Sequence, residues 1–241
     1  VYISRHQPRM VSLFGEWDEN DFRNADIKTY LPAVEELVGR GYYALRAGKW
    51  TKDTMEHDNH MVIDYPNSHH SDFMDIFLSA RCAFFIGTNG GIASPPSIFR
   101  RPMALANVIP LVDVVNGCAD TVSIPKKFYS ATKGRLLTFK EILSKPLLAN
   151  YSTRNHNQNP DFFDALGLEV QDNTPEEIME LAVEMDQRVR GTFQPSQEDQ
   201  ESQDRYISIL EENKEMIPPF GDLQRLRMGA HFLRTNSVVL E

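Results

Sequence analysis

The chain has 241 residues, 41% hydrophobic and 24% charged, enough to bury a full globular core. Its formal net charge of −9, from 25 Lys and Arg against 34 Asp and Glu, excludes a general attraction to nucleic acid, so any anionic ligand must be met by local donors. Two cysteines make no disulfide framework and no apolar run approaches the roughly 20 residues of a spanning helix, so a reducing cytoplasm is the expected compartment.

Val1-Tyr2-Ile3 reads as a first strand, and because the chain opens on it directly, an upstream domain or partner chain is expected. A long polar loop follows from Ser4 to about Asp26, carrying Arg5, His6, Arg9, Arg23 and Asn24. Long loops are uncommon in compact domains and are often functional. Asp26 or Asn24 then caps a helix with Tyr30, Val34, Leu37 and Val38 on one face, closed by Arg40 and Gly41. Tyr42 to Leu45 is a second strand, leaving Arg46, Gly48 and Lys49 at its carboxyl end, and Met61 to Ile63 is a third.

Ser71 opens a helix whose apolar face is Phe73, Met74, Ile76, Phe77 and Ala80. Cys82 to Ile86 is wholly apolar, as suits a strand covered on both sides. It runs into Gly87-Thr88-Asn89-Gly90-Gly91 and then a helix over 92–99. Adjacent glycines let the backbone approach a phosphate closely, although the same pattern also suits a plain strand-to-helix connection. Met103 to Ala106 is a fifth strand and Val122 to Ile124 a further short one.

This alternation predicts an α/β fold over residues 1–150: a doubly wound, mainly parallel, Rossmann-like sheet. With the common order 3-2-1-4-5, the first loop and the Gly90-Gly91 turn face one crevice at the carboxyl ends of the strands. Thr138 to Glu141 and Thr174 to Glu177 are capping-box patterns, and Leu168 to Val170 suits a strand. Ile178, Leu181, Ala182, Met185 and Val189 form one buried stripe, and Ser196 starts another helix. Residues 151–241 are therefore expected to be a mainly helical extension packed on the first part, joined to it by a polar connector from Asn150 to Pro160.

Segments 23–49 (RNADIKTYLPAVEELVGRGYYALRAGK), 71–91 (SDFMDIFLSARCAFFIGTNGG), 134–143 (GRLLTFKEIL) and 168–191 resemble a bacterial glycosyltransferase family of surface-polysaccharide and lipopolysaccharide gene clusters. The resemblance implies the donor-binding half of a GT-B enzyme, of C-terminal-domain type, moving a sugar from a nucleotide-sugar donor to a glycan acceptor. Peripheral membrane association through that acceptor is a further implication. Where the family carries a His-x-Arg pair after its first strand, this chain has Ser4-Arg5-His6, and Gly90 stands where the family has a serine.

Such a transferase must hold a diphosphate and stabilise it as it leaves. The Thr88 hydroxyl and the N–H groups of Asn89, Gly90 and Gly91 are candidate donors, with Arg5, Arg23 or Arg46 as cationic partners. Asn24 and Gly48 complete the expected binding set. His6 and Asp26 are the candidate bases for the acceptor hydroxyl. Glu56, His57, Asp58, His60, His69, His70, Asp72 and Asp75 crowd one stretch but match no zinc or calcium spacing, so neither a metal nor a cofactor is expected. A catalytically inactive nucleotide-binding or scaffolding module is the alternative. A dinucleotide oxidoreductase is set aside because no strand is followed by G-x-G-x-x-G.

Overall fold

The structure is a computed structural model that describes residues 25–48, 54–55, 57–68, 70–116, 120–145, 148, 162–217 and 223–241. The expected first strand, Val1 to Ile3, lies outside the described residues, as do Arg5, His6, Arg23, Asn24 and the connector from Asn150 to Pro160.

The Asp26 carboxylate accepts the Lys28 N–H at 2.9 Å and so caps a 3-10 turn, Ile27–Tyr30, that continues into α1, Leu31–Gly39. Gly41 follows with φ +92°, a left-handed conformation that lets the chain reverse into β1, Ala44–Arg46. β1 pairs in parallel with β2, Val62–Asp64, after which come α2, Tyr65–Ser68, and α3, Asp72–Arg81. β3, Phe85–Gly87, leads through a 3-10 turn into α4, Ser94–Ile98, and back to β4, Met103–Val108. β5, Thr121–Pro125, is followed at once by β6, Lys127–Ser130, and β7, Arg135–Leu136. The remaining elements are α5, Phe139–Leu143; α6, Phe162–Ala165; β8, Leu168–Gln171; α7, Pro175–Val189; α8, Gln197–Glu212; β9, Arg227–Met228; and α9, Ala230–Thr235.

The molecule is an α/β fold around a parallel four-stranded sheet of order β3-β4-β5-β9. β4 and β5 are buried along their whole length, as expected of apolar strands covered on both faces. The pairs β1–β2 and β3–β4 are the neighbours expected for strands two and three and strands four and five. In a second, antiparallel sheet, β7-β6-β8, the strand expected at Leu168 to Val170 is β8, whereas β6 and β7, four and two residues long, were not legible in the sequence. The part beyond residue 162 is mainly helical, and it also supplies β8 to the antiparallel sheet and β9 to the parallel one. Among the described residues no helix is long and apolar enough to cross a membrane.

α7 holds the two parts together. The Thr174 capping box fixes its start, and Ile178, Leu181, Ala182 and Met185 bury its inner face, with α1, β4 and β5 as neighbours; Val189, expected in the same stripe, is exposed at the helix end. Buried Asp186 accepts hydrogen bonds from Arg40 Nη1 at 3.0 Å, Tyr42 Oη at 2.7 Å and Arg190 Nε at 2.6 Å. Burial alone would push this carboxyl up; the bonds from Arg190, Tyr42 and Arg40 outweigh it and hold the group below its ordinary range. A carboxylate depressed on folding adds stability above its unfolded pKa, and that stability is lost as pH falls through the folded value. Asp186→Asn is therefore expected to be less stable than the parent at neutral pH. Urea titrations from neutral pH down to about pH 3 should show it losing less on acidification.

The sequence places Phe73, Met74, Ile76, Phe77 and Ala80 inward on α3, yet no residue of this helix is buried. α3 instead presents Leu78 and Ser79 to a cavity of about 260 Å³ that Ala44, Leu45, Phe85 and Ile86 line from the two strand edges.

Candidate functional site

In a parallel sheet the carboxyl ends of all strands lie on one edge, and the loops that follow them meet there. Three strands of the four-stranded sheet carry a buried polar residue at or just past that end: Thr88 after β3, Asn107 late in β4 and Lys126 after β5; in the separate β1–β2 pair, Arg46 is the buried last residue of β1. Buried polar side chains are costly unless satisfied, so three on one edge mark it as the polar end of the core.

The Gly87–Gly91 turn links β3 to the 3-10 turn Gly91–Ala93. Asn89 and Gly90 are half-buried and Gly91 is exposed, so the turn is open rather than sealed under other side chains. Among the described residues no hydrogen bond uses the N–H groups of Asn89, Gly90 or Gly91, and the Gly90 carbonyl accepts from Ala93 to start the next turn. Beside the turn lies a cavity of about 160 Å³ lined by Asn89, Gly90, Ser94, Ser97 and Asp113. Asn89 Nδ2 donates to Asp113 Oδ2 at 2.8 Å and to the Ile109 carbonyl at 3.1 Å, tying the turn to the loop after β4. That loop contains the cis Ile109–Pro110 peptide and the 3-10 turn Leu111–Asn116. The arrangement offers N–H donors for an anion, and next to them hydroxyls and a carboxylate suited to polyol hydroxyls.

The rest of the edge is braced by a second polar group. Asn107, in a left-handed conformation with φ +55°, exchanges two bonds with Asn173: its N–H to Asn173 Oδ1 at 2.6 Å, and the Asn173 N–H to Asn107 Oδ1 at 2.7 Å. Asn173 Nδ2 also donates to the Pro125 carbonyl at 2.9 Å. Lys126 is buried and paired with Asp172; burial pushes its ammonium pKa down while that carboxylate works against the shift. Buried Tyr30, whose hydroxyl lies 3.5 Å from Asn107 Nδ2, has its pKa pushed well up by burial.

Of the residues picked from sequence, Thr88, Asn89, Gly90 and Gly91 come together, and Arg46 and Gly48 lie at the end of a neighbouring pair of strands. Arg46 is buried, not a surface cation; its Nη1 sits 3.5 Å from Asp64, which also accepts the Met55 N–H and Asn67 Nδ2. Gly48 has φ +137°, which only glycine adopts readily. Asp26 is exposed, with its carboxylate engaged in the cap of Ile27–Tyr30. Arg5, His6, Arg23 and Asn24 lie outside the described residues. From the acidic and histidine-rich stretch, His70, Asp72 and Asp75 bring ligand atoms within 4.8 Å of one another, with His70 Nε2 at 3.1 Å from Asp75 Oδ2. Asp72 and Asp75 occupy the first turn of α3, where negative charge is favoured without an ion.

Sequence reasoning missed Asp113, Asn107, Asn173 and Lys126. The one local signal was an asparagine interrupting the apolar run Met103 to Leu111; its partner lies 66 residues away. In comparisons with known proteins, no family model, no curated protein and no solved structure matches the chain.

Proposed function

We propose that this chain is a glycosyltransferase module that binds a nucleotide-activated sugar at the carboxyl edge of its parallel sheet. The diphosphate is held by the N–H groups of the Asn89-Gly90-Gly91 turn. One observation carries the reading: three backbone donors with no hydrogen bond among the described residues open beside a cavity lined by Ser94, Ser97, Asn89 and Asp113. Fixed donors of this kind cost no reorganisation when charge builds on a leaving diphosphate, and adjacent hydroxyl and carboxylate groups suit a sugar ring. The finer assignment to the donor half of a GT-B enzyme, with a glycan acceptor, rests on the sequence resemblance.

A second reading, a module that binds a nucleotide sugar without turning it over, is favoured by the position of Asp26. Its carboxylate caps a helical turn, an occupation that competes with service as a base. Calorimetry with uridine, guanosine and cytidine nucleotide sugars, followed by assays for nucleotide release, separates the two. Saturable binding with release supports transfer; binding without release supports the inactive module. No binding by any of the panel overturns both.

A further inference from the structure

The amino edge of the parallel sheet, opposite the Gly87–Gly91 turn, holds a cavity of about 600 Å³. It opens between the starts of β4, β5 and β9 and the last turn of α7. Small-molecule sites span about 300–1,000 Å³ and bring a few polar groups together over an apolar wall. Three arginines from three elements line this one: Arg188 from α7, Arg225 from the 3-10 turn Leu223–Arg225, and Arg227 from β9. Among the described residues the lining holds one carboxylate, Asp120, in a chain whose net charge is −9.

We propose that this cavity binds a small organic phosphate monoester, its phosphoryl group among the three guanidinium groups and its organic part against Phe193, Val189 and Met185. Arg188 is held from two sides. Its Nε and Nη2 lie 2.9 and 2.7 Å from Glu184 Oε1, and its guanidinium carbon sits 4.0 Å from the centroid of the Phe193 ring. Its Nη1 makes no hydrogen bond among the described residues. Arg225 and Arg227 also have partners within the chain, Arg227 Nη1 donating to the Leu226 carbonyl at 2.7 Å. A guanidinium carries five N–H donors, so such bonds do not exhaust it, and its planar fork matches phosphate oxygens in pairs. Three forks suit a group with three terminal oxygens better than a carboxylate with two. The site does not rest on the sugar-binding reading, because it lies at the other edge of the sheet.

The test is titration calorimetry of the full chain with phenyl phosphate, inorganic phosphate and succinate at one ionic strength. The expected result is saturable binding of phenyl phosphate, about tenfold tighter than inorganic phosphate because the ring adds apolar contact, and tighter than succinate. Arg225→Gln and Arg227→Gln should each weaken it about tenfold with an unchanged circular dichroism spectrum. Arg225 is exposed, so its variant keeps the test open if the other does not fold. Phe193→Ala should lower affinity for phenyl phosphate and leave that for inorganic phosphate unchanged. Gly90→Asp should leave phenyl phosphate binding as it is, which separates this cavity from the turn assigned to the diphosphate. No saturation below about 10 mM, or binding that Gly90→Asp abolishes and both arginine changes leave intact, overturns the site. Succinate binding more tightly than phenyl phosphate overturns the assignment to a phosphate.

Discussion

Asn173→Ala is expected to lose about 3 kcal/mol of stability, among the largest effects available from one side chain away from the apolar core. The asparagine amide accepts the Asn107 N–H and donates to the Pro125 carbonyl, and both partners are buried. Alanine leaves a donor and an acceptor without partners and without water, each costing about 1–3 kcal/mol. The bond from the Asn107 N–H to Asn173 Oδ1 also helps hold Asn107 in its left-handed conformation, so its loss loosens the end of β4. Urea unfolding at neutral pH should show a lower midpoint with an unchanged slope. An Asn173→Ala protein as stable as the parent would mean that the reciprocal pair does not brace this edge.

Gly90→Asp should cut nucleotide-sugar affinity about 30-fold, equivalent to about 2 kcal/mol of repulsion between a carboxylate and a diphosphate in a half-buried site. The backbone does not stand in the way. Gly90 has φ −81°, open to any residue, and an added Cβ meets Thr88 Oγ1 at 3.4 Å, an ordinary contact. Stability should therefore change by no more than about 0.5 kcal/mol, which separates a charge effect from a folding defect. Gly90→Ser, carrying the residue found in the family the chain resembles, should bind as the parent does. Calorimetry on both variants checks the pair of outcomes; equal affinity for parent and Gly90→Asp would move the diphosphate away from this turn.

What the sequence made legible was local. Capping boxes at Thr138 and Thr174 start α5 and α7 where the pattern puts them, and Ser196 caps α8 where a helix start was read, because a cap involves residues only three apart. The Gly87–Gly91 turn was visible because it follows a short apolar run, and two glycines are rarely adjacent without a backbone reason. Contacts that span the chain were not legible. The Asn107–Asn173 exchange and the Asn89–Asp113 bond join loops that no periodicity relates. The α3 stripe shows the same limit differently: spacing says that a face is apolar and is silent on what covers it. The very short strands β6 and β7 alternate over too few positions to stand out from loop.

β9 has a consequence for how the chain assembles. Arg227 pairs with Val122, so the outer edge of β5 waits for a segment about a hundred residues later, which raises contact order. During synthesis on the ribosome, that edge stays available to any stray strand until Arg227 and Met228 emerge. The β5–β9 pairing therefore waits on about a hundred residues of further synthesis, and chaperone dependence should concentrate in that interval.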